Sequence, residues 1–343
     1  MRAVVLAAPE DLRVEEVPEP AIEDPRDAIV RVTGAAICGA DLFPYHGHTP
    51  GFEDGTILGH EFVGVVEEVG PAVSRVQRGQ RVVNTSMTSD GSCAHCRAGR
   101  RTQCSSRALF GYSGVYPRLE GGQADMVRIP FADRCLWQIP DEVSEDDAVF
   151  LADMLPTGHG AVRRGGVAIG DVVVVLGLGC VGLMATMVAA GTARKVIAVD
   201  GIPQRRELAA AYGAEVIDPA GAGDAVAAAT DGLGADVVIE AAGAPAALDA
   251  SLALVRGRGT VSVVGAHFEP DYPLNNALMF EHEITLRFTV GDPGADREML
   301  LGAIAERKLE PSRVLTHRVP LGEAPEAYRL FDEREAVKVL LEP

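Results

Sequence analysis

Val172-Val173-Val174-Val175-Leu176-Gly177-Leu178-Gly179-Cys180-Val181-Gly182 is the stretch whose reading decides how this chain folds. Four consecutive valines and a leucine predict a buried strand, and the apolar run Val181 to Ala190 predicts a helix. Between them the glycines fall at the spacing G-x-G-x-x-G. Strand, glycine turn and helix in that order make a cradle for a dinucleotide. Gly177 permits the tight turn, Gly179 lets a pyrophosphate approach the backbone, and Gly182 lets helix and strand pack closely. Leu178, Cys180 and Val181 lie among these glycines, where free N–H groups at the helix start receive phosphates. Asp200 closes the next strand, 18 residues past Gly182. A carboxylate there accepts hydrogen bonds from both ribose hydroxyls and repels a 2′-phosphate, which favours NAD over NADP. Arg205 and Arg206 weigh against this, because a nearby Arg can accommodate that phosphate.

Outward from this stretch, strands alternate with helices from about 152 to 288. Val196-Val199, Val237-Glu240 and Val261-Val264 read as strands, and Pro203-Tyr212 as a helix with Pro near its first turn. Such alternation predicts an α/β unit, a parallel sheet with helices on both faces. Residues 1 to about 150 read instead as short strands broken by Gly and Pro, such as Ala28-Val32, Phe62-Val69 and Arg81-Asn84. After about 290, a helix near Asp296-Arg307 and strands near Val314-Val319 and Val337-Leu341 resume a mixed character. The simplest assembly returns this tail to the first domain. The expected division is therefore 1–151 plus 289–343, with 152–288 inserted between them.

The bulk numbers agree with two domains: 343 residues, 47% hydrophobic and 23% charged. The formal net charge of -18 argues against nucleic acid and against an anionic membrane surface as partners. Val172 to Gly191 is apolar for about the length of a membrane span, but its glycines and valines fit a buried strand running into a buried helix better. Met1 to Glu10 has no signal-peptide pattern, so a cytoplasmic location is expected. Abundant Ala, Gly and Arg suggest a bacterial source with GC-rich coding. Cys93, Cys96 and Cys104 crowd into twelve residues, which in an intracellular chain suggests metal rather than disulfides. Cys135 and Cys180 have no neighbour at metal spacing and read as small apolar residues.

Cys38-Gly39-Ala40-Asp41 and Gly59-His60-Glu61 place a thiol, an imidazole and a carboxylate within 24 residues. Cys38, His60 and a distant acid can make a catalytic zinc site with an open position. These segments, the glycine loop with Asp200, and Asp153-Met154-Leu155-Pro156-Thr157-Gly158 together resemble the zinc-dependent alcohol dehydrogenases of the medium-chain dehydrogenase/reductase family. The resemblance covers essentially the whole chain. It implies a Rossmann NAD-binding domain inserted in a mainly β, GroES-like catalytic domain. It implies zinc held by Cys38, His60 and Asp153, with Glu61 able to approach the metal. Asp41 is implied as the carboxylate that fixes the His60 tautomer, and Thr157 as a neighbour of the nicotinamide. The implied activity is hydride transfer between NAD(H) and a small or secondary-metabolite alcohol, or its carbonyl product, bound to zinc. A homo-oligomer is implied, a tetramer ahead of a dimer. Gly121-Gly122-Gln123-Ala124 through Leu151-Ala152-Asp153 is similar to the formaldehyde-dehydrogenase-like bacterial branch.

The cluster Asp90-x2-Cys93-x2-Cys96-x7-Cys104 resembles the family's structural zinc lobe, with Asp90 in place of the first thiol. Carboxylate oxygen is an acceptable zinc ligand, so a second zinc is expected there. His95 fits the pattern less well and reads as a surface residue. Two further departures concern the proton. Ala40 stands where the family usually has a Ser or Thr hydroxyl, and Phe43 where a His often continues the relay. His46, in Tyr45-His46-Gly47-His48, is the residue expected to replace it. The same departures leave open a redox-neutral epimerase or dismutase that retains NAD, or a non-catalytic zinc- and nucleotide-binding protein.

Overall fold

A computed structural model describes residues 1–267 and 271–343. The chain divides into two compact units, Met1–Pro156 with Asp292–Pro343, and Thr157–Gly291. The expected cuts at 151/152 and 288/289 thus fall at 156/157 and 291/292. The difference matters, because Asp153 belongs to the first unit.

The second unit is a six-stranded sheet in which every neighbouring pair is parallel. Its spatial order is Glu215–Ile217, Lys195–Val199, Val172–Leu176, Ala235–Glu240, Val255–Val263, Thr285–Phe288. Numbered along the chain this is 3-2-1-4-5-6, the doubly wound order. Val172–Leu176 lies at its centre and is buried at every position. A central parallel strand is covered on both faces, which is why its sequence reads as an unbroken apolar run. The apolar stretch to Gly191 resolves into this strand and the helix Cys180–Ala190. Among the described residues no helix is long and apolar enough to cross a membrane.

The first unit is built on a seven-stranded sheet. Its long strand, Ala28–Ile37, pairs antiparallel with Glu61–Val69 on one side. On its other side it meets Met126–Ile129 and then Val339–Glu342 from the C-terminal tail. The tail therefore completes the first unit's sheet. One expected strand is shorter than its pattern suggests. Residues Pro311–Val314 form a 3-10 turn and the strand is His317–Pro320.

Candidate metal and cofactor site

The register of two strands brings the first donors together. Ala36 lies opposite Glu61 across the antiparallel ladder. Cys38 follows one strand and His60 precedes the other, so thiol and imidazole meet at the same end of the sheet. Cys38 is extended and opens the 3-10 turn Gly39–Asp41. Asp41 folds back, its Oδ2 accepting the Cys38 N–H at 3.0 Å, while its Oδ1 faces His60 Nδ1 at 3.0 Å. Asn84 clamps the neighbouring backbone, donating to the His60 carbonyl at 2.8 Å and accepting from the Phe62 N–H at 2.9 Å. Asp153 arrives from the 3-10 turn Val149–Ala152, whose last carbonyl is held by the Ser86 N–H at 3.0 Å. Its Oδ2 lies 3.5 Å from His60 Nε2.

The donor atoms of Cys38, His60, Glu61 and Asp153 all lie within 4.8 Å of one another. His60 Nε2 and Glu61 Oε1 are buried and have no hydrogen-bond partner among the described residues. An unpartnered buried polar atom is costly, and here two of them converge with a thiol and a second carboxylate. That donor set fits zinc. Burial, then the charge of Glu61, pushes the Cys38 thiol up. Burial works to lower His60, but Asp41 and Cys38 outweigh it and hold the ring well above its usual range. A divalent cation would reverse this local logic. Cys38, His60 and Glu61 are buried, whereas the Asp153 side chain is 20% exposed, so the cluster opens on the Asp153 side.

The sequence assigns no role to four residues around this cluster, although the stretch holding Gln123 carries part of the resemblance. Lys338, fully buried on the tail, pairs with Glu61 Oε2. Tyr112 donates its hydroxyl to the Ala40 carbonyl and sets its ring edge-on to His60, centroids 6.5 Å apart. Arg297 is buried, its pKa lowered to about 9 by burial and then by Arg101. Its Nη2 donates to the carbonyls of Asn84 and Leu151 at 3.0 and 2.7 Å, tying the His60 clamp to the approach to Asp153. Gln123 is the fourth. Each acts on the cluster from a distant part of the chain.

His46 lies between two carboxylates. Its Nε2 lies 3.0 Å from Asp332 and its Nδ1 3.3 Å from Glu10. Both ring nitrogens thus face carboxylates, and neither carboxylate belongs to the Cys38 cluster.

The second cluster also assembles. Asp90, Cys93, Cys96 and Cys104 bring their donor atoms within 4.8 Å of one another. Asp90 Oδ1 accepts from the N–H groups of Ser92 and Cys93 at 2.6 and 2.9 Å, which aims the carboxylate into the loop. The N–H groups of Cys96 and Ser105 lower Cys93 to about 6, whereas burial raises Cys96 to about 12. His95 is exposed, as expected.

In the second unit, Gly177 has φ +88 and a Cβ there would lie 2.7 Å from the Ala242 nitrogen. A Cβ at Gly182 would lie 1.8 Å from the Gly177 carbonyl, whereas at Gly179 it would meet open space. Two glycines are thus required by the fold, and the third leaves a cradle a nucleotide can fill. Asp200 Oδ2 accepts the Leu178 N–H and Oδ1 the Ile202 N–H, both at 2.8 Å. Arg205 lies 3.7 Å from the same carboxylate, and Arg206 donates to the Asp200 carbonyl at 2.6 Å. Cys180 and Val181 begin the helix, and Thr157 is the first residue of this unit.

Residues 24–141 match the alcohol dehydrogenase GroES-like domain, and residues 180–305 the zinc-binding dehydrogenase family. A probable zinc-binding alcohol dehydrogenase of Mycobacterium tuberculosis is 37% identical across 100% of this chain and 89% of its own length. The chain belongs to the zinc-type alcohol dehydrogenases. Among solved structures, the alcohol dehydrogenase of Thermus sp. ATN1 is 39% identical, with a TM-score of 0.96 over 100% of this chain and 99% of that one. A Sinorhizobium meliloti protein assigned as a zinc-binding dehydrogenase and solved with NADP is 30% identical, with a TM-score of 0.86 over 100% and 99%. As a member of this family the chain is a zinc-dependent oxidoreductase that works with a nicotinamide cofactor, in a GroES-like domain joined to a Rossmann-like sheet.

Proposed function

We propose that this dehydrogenase interconverts a small or secondary-metabolite alcohol and its carbonyl product with NAD(H), using zinc held by Cys38, His60 and Asp153. The observation that carries the reading is the four-donor cluster with two buried, unpartnered atoms, His60 Nε2 and Glu61 Oε1. Zinc bound there supplies a Lewis acid that lowers the pKa of an alcohol, and the nicotinamide supplies the hydride acceptor. Asp41 holds the proton on His60 Nδ1 and so leaves Nε2 as a lone-pair donor. Lys338 neutralises one oxygen of Glu61 and leaves the other turned to the cluster. Asp153 keeps the accessible side, where substrate enters. Asp90, Cys93, Cys96 and Cys104 hold a second, structural zinc.

NAD is preferred over NADP because Asp200 sits beside the glycine loop with its carboxylate intact. Arg205, 3.7 Å away, tempers the preference without removing the negative charge. Six free thiols suit a reducing, cytoplasmic setting. The resemblance alone favours a tetramer over a dimer, and a homo-oligomer is supported by the sheet-edge strand Thr285–Phe288. Phe280, Phe288 and Val290 stand 88, 58 and 62% exposed near it.

The test is metal analysis joined to turnover. Pure protein should carry two zinc ions per chain, one for each cluster. Cys38→Ser should lose one zinc and all NADH formation on an alcohol panel. Cys93→Ser should lose the other zinc and unfold at lower temperature. Substrate conversion with no net NADH would sink the proposal in favour of a redox-neutral cycle. A kcat/KM ratio favouring NADP would overturn the cofactor choice.

A further inference from the structure

Asp41 is the hub behind the cluster, since one oxygen faces the His60 ring and the other accepts the Cys38 backbone N–H. It has a further donor. Gln123 Nε2 lies 3.5 Å from Asp41 Oδ2, a long contact, and 3.4 Å from the Ala36 carbonyl. Gln123 is fully buried. An apolar residue of the same size would fill that space without the cost of burying an amide, so the polar group calls for a polar role.

The orientation of the amide is decided by two groups that can only accept, Asp41 Oδ2 and the Ala36 carbonyl, and its oxygen is left to Tyr328, itself fully buried on the helix Ala324–Asp332. Its hydroxyl donates to Gln123 Oε1 at 2.9 Å. The NH2 group therefore faces Asp41. Flipping the amide would set its oxygen against a carboxylate oxygen, two acceptors face to face. The chain also gives up side chains to make room. Gly59, next to His60, has φ +98, and a Cβ there would lie 2.4 Å from Gln123 Cγ. At Gly121 a Cβ would lie 2.1 Å from the Leu58 carbonyl, and at Gly122 2.1 Å from the Phe62 ring. The Gln123 backbone is pinned as well, its N–H to the Leu58 carbonyl at 3.0 Å and its carbonyl to the Val4 N–H at 2.8 Å.

We infer that Gln123 and Tyr328 are positioning residues of the metal site: the Tyr328 hydroxyl anchors the oxygen of the Gln123 amide, whose NH2 group steadies Asp41 and through it both His60 and the Cys38 turn. This rests on the reading that Cys38, His60 and Asp153 hold zinc. The path runs from a C-terminal helix to a ligand ring.

The experiment measures zinc affinity of the full chain by chelator competition, and the absorption spectrum after cobalt(II) replaces zinc. Partners behind a ligating His are typically worth about 10- to 100-fold in metal affinity. Gln123→Leu should weaken the Cys38-dependent zinc by about tenfold and shift the cobalt bands, with zinc at the Cys93 cluster unchanged. Tyr328→Phe should shift both readouts in the same direction by less, and the double variant should be no worse than Gln123→Leu alone. Gln123→Glu, which sets a second carboxylate against Asp41, should weaken zinc at least as much as Gln123→Leu. A lowered melting temperature with unchanged affinity and unchanged cobalt bands would make Gln123 a packing residue and overturn the inference. Should Gln123→Leu fail to fold, Tyr328→Phe decides, and unchanged values there overturn it too. Wild-type zinc content that Cys38→Ser does not reduce would instead defeat the underlying site assignment, and this inference with it.

Discussion

Ala40 leaves the turn after Cys38 without a side-chain hydroxyl, and the hydroxyl the fold brings there is that of Tyr112, donated to the Ala40 carbonyl. Burial, then Asp41 and Cys38, holds Tyr112 well above its usual range, so it stays a neutral donor. Ala40→Ser should raise kcat on simple alcohols by about tenfold. That is short of the 10² to 10⁴ of a full acid–base group, because Phe43 leaves the relay without its next member. Steady-state kinetics checks it, and a lower kcat would mean a pocket shaped to Ala. His46 is also a member of an ion pair. Asp332 raises its pKa, with burial opposing and Glu10 adding to the rise. A raised folded-state pKa means the stabilisation is full below the unfolded value of about 6.5 and is lost as pH rises through the folded value. Urea melts of His46→Ala should show a loss of about 0.5 kcal/mol at pH 6, the scale of a partly exposed ion pair, and none at pH 9. An equal loss at both would rule out the ion pair as its cause. The pairing of Asp41 with His60 was legible because both lie in short motifs of the family. Lys338, Tyr112, Gln123 and Arg297 were not, because each meets the cluster only through tertiary folding from 50 to 280 residues away (Glu61 and Lys338 are 277 apart).

Among the elements, the tail strand Val339–Glu342 does more than finish a sheet. It enters through Lys338, whose buried ammonium pairs with Glu61 Oε2 in the core of the unit. Burial raises Glu61, and Lys338 is the main force pulling it back. Removing one partner of a buried pair typically costs about 3 to 5 kcal/mol, since it leaves an uncompensated charge. Lys338→Met should therefore destabilise chelated protein by roughly that amount, and adding Glu61→Gln should recover most of it. Equal urea midpoints for the single and double variants would show that the pair is not what holds the strand. Elements were read best where one force dominates. Val172–Leu176 has the bounds its five apolar residues predict, since burial on both faces leaves no ambiguity. The strand Ala28–Ile37 was seen only to Val32. Past that point Gly34 and the alanines at 35 and 36 lack β-propensity, and the pairing slips between Val32 and Gly34. Gly34 is nevertheless fitted to its place, since a Cβ there would lie 3.2 Å from Leu340 on the tail strand. What holds that half in the sheet is contact with a segment 300 residues away, which no local pattern reports.

At the scale of the whole molecule, chemistry is divided between the two units. Both donor clusters lie in the first, whereas the glycine loop and Asp200 lie in the second, and each unit has its own apolar core. The change from short strands to strand–helix alternation made that plan legible. The position of the cut was not, because the helix Met154–Gly165 runs across it, so Pro156, Gly158 and Gly160, which elsewhere would mark a boundary, lie inside a helix. The division has a measurable consequence. A ligand stabilises the structure that binds it by an amount set by its concentration over its Kd, so metal and nucleotide should act on different amides. In hydrogen exchange of the intact chain, stripping metal should speed exchange in the 90–104 loop and around Cys38 and His60, while the amides of Val172–Leu176 keep their protection. Adding NADH should slow exchange across Gly177 to Gly182 and at Ile202, and leave the 90–104 loop as it was. If chelation opened the parallel sheet as readily as the cysteine loop, the two units would unfold as one, and metal removal would act on the nucleotide site through global stability rather than through the ligands themselves.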